Sequence, residues 1–215
     1  MKEKVLKIIF LPLVLLYMNS VVLCFFIQDL TKVSKLLPII VLDIILGIDI
    51  IIRNRSKKED RYNRIIVIAA FLIFPILVAA PYIESRLLFG KGDILNIVIA
   101  VGILLEAIGG FILIYSRISI GKYGTTSIAL EENHILITTG IYKYSRNPIY
   151  FGMIVLFVGY GISLYGFIST GFLGAFIWSI CLSRIKLEEK VLEEAFGSNY
   201  LEYKKKTKCL IPFIY

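Results

Sequence analysis

Polar residues in this chain are confined to short stretches between long apolar runs over 5–27, 36–52, 65–83, 94–115, 149–165 and 167–182. A helix needs ~20 residues to cross the ~30 Å hydrocarbon core of a bilayer, so runs of this length predict spanning helices. The expected fold is all-α: a polytopic membrane protein with about six transmembrane helices and a C-terminal cytoplasmic helix. The run over 36–52 is the weakest of the six, being short and carrying Asp43 and Asp49. Helical periodicity fails from Ser116 to Pro148, where Gly121, Gly124 and Thr125-Thr126-Ser127 predict irregular structure. Residues 149–182 then predict a helical hairpin turning at Gly166, with Gly159, Gly161, Gly171, Gly174 and Ala175 offering thin faces for packing in lipid. Residues 183–206 read as a helix outside the membrane, with Glu and Lys on its exposed face. The apolar segment from Leu210 to Tyr215 is suited to the membrane interface.

Composition supports this. The apolar fraction is 58% and the mean hydropathy +0.81, too high for an ordinary soluble domain of this size. Charge then sets the orientation. If the N-terminus is cytoplasmic and the chain crosses six times, the inner segments hold 20 of the 24 basic residues, and only Lys32, Lys35, Arg86 and Lys91 fall outside. Such a bias is the positive-inside rule. It also accounts for the net charge of +8 through orientation and anionic lipid, so no nucleic acid is called for. Both termini are expected to be cytoplasmic. Lys2–Lys7 before an apolar run mimics a signal peptide, but no small-residue cleavage site follows, and an uncleaved first span is expected. Arg53–Arg64 reads as a solvated charged loop. Pro75 and Pro81 predict a tolerated kink in the third span.

Cys24, Cys181 and Cys209 form no Cys-x-x-Cys pair, so no disulfide framework and no metal site is expected. Glu106 lies in the fourth span beside Gly102, Gly109 and Gly110. An acid in a span is costly and should face the bundle interior, where it either contacts substrate or bonds to another helix.

Two polar segments carry the candidate chemistry. The first runs from His134 to Tyr150, followed by Gly152; the second contains Arg184, Glu188, Glu189, Phe196, Gly197, Tyr200 and Tyr203. The hairpin between them has both ends on the cytoplasmic side, which brings Arg146–Tyr150 next to Arg184–Glu189. Arg146 and Arg184 are fixed cations with planar donor forks. Arg184 and Glu188 are four apart and share a helix face. Tyr142, Tyr144 and Tyr150 offer aromatic faces with polar tips. One reading is a site for a zwitterionic aromatic ligand bearing a cation. The other is an interfacial aromatic belt with surface ion pairs. His134, the single histidine, has on its own no more than a structural or solvated role.

In order and separation these residues resemble the signature of the isoprenylcysteine carboxyl methyltransferase family. That pattern is close to His-x-Leu-Val-Thr-x-Gly-x-Tyr-x-x-x-Arg-His-Pro-x-Tyr-x-Gly, then Arg-x-x-x-Glu-Glu and Phe-Gly-x-x-Tyr-x-x-Tyr. The chain supplies His134, Leu136, Ile137, Thr138, Gly140, Tyr142, Arg146, Pro148, Tyr150 and Gly152, then Arg184 through Tyr203. The likeness covers roughly 116–215, dividing the chain into N-terminal transmembrane helices over 1–115 and a methyltransferase-like cofactor-binding region over 116–215. It implies S-adenosylmethionine as cofactor, held by His134, Leu136, Ile137, Tyr142, Asn147, Pro148, Ile149, Tyr150 and Glu188. It implies Arg184 as the residue addressing the substrate carboxylate. Outside what the resemblance implies, Arg146 is read as its catalytic companion and Glu106 as a candidate substrate contact. The implied acceptor is a lipophilic one such as a prenylated cysteine, and the implied location is a membrane, the plasma membrane in a prokaryote. Asn147 stands where the family usually has histidine; it keeps a donor and an acceptor but cannot become a cation. The rivals are a methyltransferase acting on a phospholipid amine, a nicotinamide-dependent membrane reductase of related architecture, and a non-enzymatic protein with the same fold.

Overall fold

The computed structural model describes residues 11–17, 19, 36–53, 61–89, 96–124 and 134–214. The secondary structure there is helical. Residues 11–17 form a short helical stretch, followed by α1 (Leu36–Ile52), α2 (Arg61–Phe89), α3 (Asn96–Ile120), α4 (Pro148–Ser163), α5 (Phe167–Phe196) and α6 (Ser198–Lys206). Most of the first expected span, the tip of the loop after α1 and the Thr125-Thr126-Ser127 run lie outside the described residues. Among the described residues two helical stretches, Ile97–Tyr123 and Phe167–Phe196, are long and apolar enough to cross a membrane, and Pro148–Ser163 is apolar and shorter. Large apolar side chains face outward on them: Phe111 is 68% exposed and Phe172 76%. A hydrocarbon solvent imposes this arrangement, since it gives no reason to hide such rings.

The centre of the bundle is the α3–α4 pair. Its helices touch backbone to backbone because glycines lie where they meet. A Cβ on Gly152 would come within 2.6 Å of the Leu113 nitrogen, and one on Gly102 within 2.5 Å of the Ser163 Cα. Gly109 and Gly159 are equally tight, against the backbones of Leu156 and Glu106. Close approach of this kind is how small residues drive helix packing in lipid. Leu42 of α1, Val78 and Tyr82 of α2, Leu113 of α3 and Leu156 and Tyr160 of α4 complete the buried core. Tyr160 donates to the Val78 carbonyl at 2.8 Å, linking α4 to α2.

Three expectations need revision. The helix before the irregular region runs on past Ser116 to Ile120 and closes in a 3-10 turn at Gly121–Tyr123. There is also no separate helix starting at 183: α5 leaves the membrane without a break, because nothing between Leu182 and Phe196 stops a helix. It ends at Gly197, whose φ of +52° suits glycine, and α6 begins in a new direction. Finally, Gly171 and Gly174 of α5 pack against no helix backbone. A Cβ on Gly171 would meet nothing within 4 Å, and one on Gly174 only the Val158 side chain at 3.9 Å. They face an open apolar groove between α4 and α5.

The hairpin turn is as expected in place but not in cause. The left-handed residue is Tyr165 (φ +62°), whereas Gly166 has φ −90° and is needed because a Cβ there would strike Pro81 of α2. Glu84 of α2 secures the same end by accepting from the Ile168 nitrogen at 2.9 Å and the Ser169 nitrogen at 2.7 Å. These are first-turn donors of α5 that would otherwise lack intrahelical partners.

Candidate active site

The polar end of the hairpin holds the residues singled out from the sequence. Pro148 stands at the first turn of α4, where a missing N–H costs nothing. Its position sends Tyr150 toward α5. The Tyr150 hydroxyl donates to Glu188 Oε1 at 2.5 Å and accepts from Arg184 Nε at 3.1 Å. Arg184 also donates through Nη2 to Glu188 Oε1 at 3.1 Å, one helical turn away. Two side chains, one from each helix, thus converge on one carboxylate oxygen. The Glu188 side chain keeps 26% exposure, and among the described residues no hydrogen bond falls on Oε2. Burial on its own would lower the Arg184 guanidinium, but the neighbouring Tyr150 and Glu188 outweigh it and hold the group above its ordinary value.

A second cluster lies beside the first. Arg146 donates through Nε to Glu189 Oε1 at 2.8 Å, with Nη2 2.7 Å from the same atom. Its Nη1 donates to the Lys204 carbonyl at 3.2 Å and to the Thr207 carbonyl. Burial would lower Arg146, and the Glu189 carboxylate raises it by more. Lys204 Nζ sits 3.3 Å from Glu189 Oε2. The Arg146 nitrogen donates to the Lys208 carbonyl at 2.8 Å, and Ser145 Oγ to the Leu210 carbonyl at 2.8 Å. Arg146 therefore ties the segment after α6 to the start of α4, with its fork turned into the protein.

Asn147 belongs to this tie. It precedes α4 but makes no side-chain cap there; Nδ2 donates instead to the Cys209 carbonyl at 2.9 Å. Burial and the Glu189 carboxylate push the Cys209 thiol up. Tyr142 is buried, its hydroxyl donating to the Ser116 carbonyl at 3.3 Å while its own carbonyl accepts from Tyr203 at 2.6 Å. Burial raises the Tyr142 phenol well above its usual range, against the opposing pull of Arg117.

His134 begins an extended stretch that runs to the 3-10 turn at Gly140–Lys143. The His134 ring lies 4.5 Å from that of Tyr123 and 5.9 Å from that of Phe196. Leu136 and Ile137 are half-buried along it. The structure thus gathers Tyr150, Arg184 and Glu188 in one cluster and places Arg146, Asn147 and Tyr142 around it as braces. Glu106 is elsewhere: fully buried on α3, it faces Ser163 Oγ at 3.5 Å. Ser163 is 13 residues along α4 from Tyr150, about 20 Å at 1.5 Å per residue. Sequence reasoning missed Asp49 and Arg117, a buried pair described below; the signal was an acid in a weak span together with a basic residue at the end of the next strongly apolar one.

The donor set suits S-adenosylmethionine. Such a molecule needs a carboxylate for an ammonium or ribose hydroxyls, and aromatic or apolar walls for adenine and sulfonium. Glu188, Tyr150 and the stretch from His134 to Ile137 supply these, and the Arg184 guanidinium beside them suits the carboxylate of a second reactant. Among the described residues no group of three or more His, Cys, Asp or Glu side chains is arranged to hold a metal.

Comparison with known proteins bears on the family and the fold. Residues 97–199 match the phospholipid methyltransferase family. The protein-S-isoprenylcysteine O-methyltransferase of Saccharomyces cerevisiae is 38% identical over 84 residues, covering 39% of this chain and 35% of that protein. Protein-S-isoprenylcysteine O-methyltransferase A of Arabidopsis thaliana is 31% identical over 115 residues, covering 53% of this chain and 58% of its own. The matched part is thus one third to three fifths of these relatives. The structure of a eukaryotic intramembrane Ras methyltransferase, isoprenylcysteine carboxyl methyltransferase, superimposes with a TM-score of 0.63 at 18% identity, over 97% of this chain and 75% of that one. The all-helical fold is therefore that of a known intramembrane enzyme, and two of the described helical stretches are long and apolar enough to cross a membrane.

Proposed function

We propose that the chain is a methyltransferase of the isoprenylcysteine carboxyl methyltransferase kind, and that it transfers a methyl group from S-adenosylmethionine to the carboxylate of a lipid-modified, isoprenylcysteine-like acceptor. The observation that carries this reading is the convergence of Tyr150 and Arg184 on Glu188 Oε1, beside a carboxylate that keeps 26% exposure and so can reach a ligand through Oε2. Glu188, Tyr150 and the stretch from His134 to Ile137 hold the cofactor, with Pro148, Ile149 and Tyr142 shaping its walls. Bound there, the cofactor would supply an electrophilic methyl group for a carboxylate oxygen, with a neutral thioether as its leaving group. A carboxylate with an ordinary pKa near ~3.5 is already ionised at neutral pH, so no general base is required. Arg184 orients the acceptor carboxylate. Arg146 and Asn147 act by fixing the segment after α6 against the site. Alignment of the two reactants and exclusion of water account for the rate.

The acceptor's hydrocarbon chain lies in the groove between α4 and α5. Ile154, Val158 and Ile162 form one wall and Phe167, Gly171, Gly174 and Trp178 the other, around about 540 Å³. Its inner end adjoins the site, since Ile154 and Trp178 pack in the same apolar cluster as Tyr150. In this reading the protein crosses the membrane six times with both termini cytoplasmic, in the plasma membrane if the source is a prokaryote.

A phospholipid acceptor is the second reading, favoured by the description of the family that residues 97–199 match. A protonated amine must lose its proton before it attacks, and Glu106 and Glu189 are the acids the sequence offers for that. Glu106 is remote from Arg184, and Glu189 is held by Arg146 and Lys204. The geometry therefore favours the carboxylate.

The test is calorimetric binding of S-adenosylhomocysteine to detergent-purified protein, followed by radiolabelled methyl transfer to farnesylcysteine and to phosphatidylethanolamine. Binding that Glu188→Ala abolishes, with label on farnesylcysteine in base-labile form, is expected. Label on lipid nitrogen selects the second reading, and a folded protein that binds no cofactor overturns both.

A further inference from the structure

A buried ion pair joins α1 to the last turn of α3, next to the segment that leads to His134. Asp49 of α1 is 2% exposed, and its Oδ1 accepts from Arg117 Nε of α3 at 3.0 Å. Its other oxygen accepts from Arg53. Both α1 and α3 end at this level, and helix C-termini carry partial negative charge, which suits the arginines and opposes the aspartate. A buried ion pair of this kind gives little net stability when desolvation is counted, so stability is a weak reason for it.

What the pair does is read from what Arg117 touches. Its Nη1 donates to the Gly124 carbonyl at 3.3 Å, immediately after the 3-10 turn that presents Tyr123 to His134. The residue before it, Ser116, provides the carbonyl that receives the Tyr142 hydroxyl. The two ends of the His134–Tyr142 segment are therefore both held from the last turn of α3, one through Gly124 and Tyr123, the other through Ser116. Asp49 locks the Arg117 side chain that makes the first of these holds, on the same turn whose backbone makes the second.

We propose that Asp49 is a positioning residue for the cofactor site, acting through Arg117 to set the His134–Tyr142 segment at its working height. The role rests on the methyltransferase reading above, and it makes α1, which lies outside the matched residues 97–199, part of the site's frame. Asp49 touches neither His134 nor Tyr142, so its loss acts at a distance.

His134 is the single histidine, which gives a clean probe. Protein labelled with carbon-13 on histidine shows one imidazole signal in detergent or nanodiscs. Asp49→Asn is expected to move or broaden that signal and to raise the KM for S-adenosylmethionine at least about tenfold, or ~1.4 kcal/mol, leaving the KM for the acceptor within twofold. Arg117→Lys keeps the charge but cannot reach Asp49 and Gly124 together, and should give an intermediate shift. Asp49→Glu should recover part of both effects. An unmoved His134 signal in Asp49→Asn, with cofactor KM unchanged or both KM values and kcat falling together with the unfolding midpoint, overturns the role and leaves a purely structural pair. If Asp49→Asn does not fold, Arg117→Lys and Asp49→Glu decide by the same two readouts. A wild-type protein that binds no S-adenosylhomocysteine, while its His134 signal still responds to Asp49→Asn, refutes the methyltransferase reading and leaves the mechanical coupling standing.

Discussion

Replacing Arg146 by methionine tests whether the second cluster braces the site or takes part in the reaction. The Arg146 side chain is 9% exposed and that of Glu189 12%, so the pair is largely out of water. Breaking a buried pair by removing one partner costs about 3–5 kcal/mol, because the other charge is left uncompensated. Two features shift that range here. Lys204 stays 3.3 Å from Glu189 and partly neutralises it, while the bonds from Nη1 to the Lys204 and Thr207 carbonyls are lost as well. These oppose each other and leave an expected loss of about 3–4 kcal/mol for Arg146→Met. In a double-mutant cycle with Glu189→Met, the combined loss should fall short of the sum by about 2 kcal/mol. Reversible unfolding in mixed micelles of rising SDS content reads this through Trp178, the single tryptophan, which packs on the cluster of Cys181, Ile185 and Leu210. Folded Arg146→Met should still bind S-adenosylhomocysteine, since the fork is turned into the protein. A coupling below ~0.5 kcal/mol, the size seen for exposed pairs, would refute the account of a buried brace. Loss of all activity with unchanged stability would return Arg146 to the reaction itself.

Gly152→Val should overpack the α3–α4 contact at or beyond the upper end of the ~1–3 kcal/mol range for such changes, seen as loss of the monodisperse species on size exclusion. Gly171→Val, which projects into open space, should fold normally and instead slow methyl transfer to long-chain acceptors more than to short ones; equal effects on both would dissociate the groove from the acceptor. Cys209, whose thiol is pushed above the ordinary range, should alkylate with iodoacetamide more slowly than glutathione at pH 8, and gain rate as pH rises beyond the usual thiol pKa of ~8.5, followed by peptide mass spectrometry. The sign follows from the raised value: a thiol that holds its proton longer presents less thiolate at any given pH. One alanine inserted after Ala175 should abolish cofactor binding, because it turns Arg184 and Glu188 about 100° from Tyr150.

Much of the site was legible because its geometry is local or mirrored by a hairpin. Arg184 and Glu188 share a face at four-residue spacing, and a hairpin with both ends on one side must bring 146–150 to 184–189. The α1 bounds, 36–52, were also readable, since the apolar run stops at the charges from Arg53 onward. What was hidden required long-range contacts. Nothing near Asn147 in sequence shows that its amide goes to Cys209, 62 residues on, or that Arg117 meets Asp49 across 68. Glu106 was correctly expected inside the bundle, but helix periodicity cannot say at which depth its partner stands, and Ser163 proves to be at the far end of α4. The continuation of α5 to Phe196 was misread for a different reason. A hydropathy boundary marks where lipid ends, whereas a helix ends only where its backbone is stopped, here at Gly197.

That continuation is what completes the site. From Tyr150 to the end of α4 the chain climbs 13 residues, and from Phe167 to Arg184 it returns 17, about 20 Å up and 26 Å down. A helix ending at the lipid boundary near Leu182 would stop short of presenting Arg184 and Glu188 on a common face. By running on to Phe196, α5 holds both residues on rigid backbone at the level of the first turn of α4, and it also carries Glu189 to Arg146. Loop residues at 184–189 would have to lose their freedom at the moment of binding, with an ordering cost of about 1–2 kcal/mol per residue. The extended helix makes that ordering part of folding, and its pairing with α4 is fixed at the opposite end by Glu84 and by the contact of Gly166 with Pro81. The register of the polar cluster is thus set by packing some 20 Å away, which explains how a site of so few side chains can be held in place in a bundle whose outer surface makes no directional bonds with lipid.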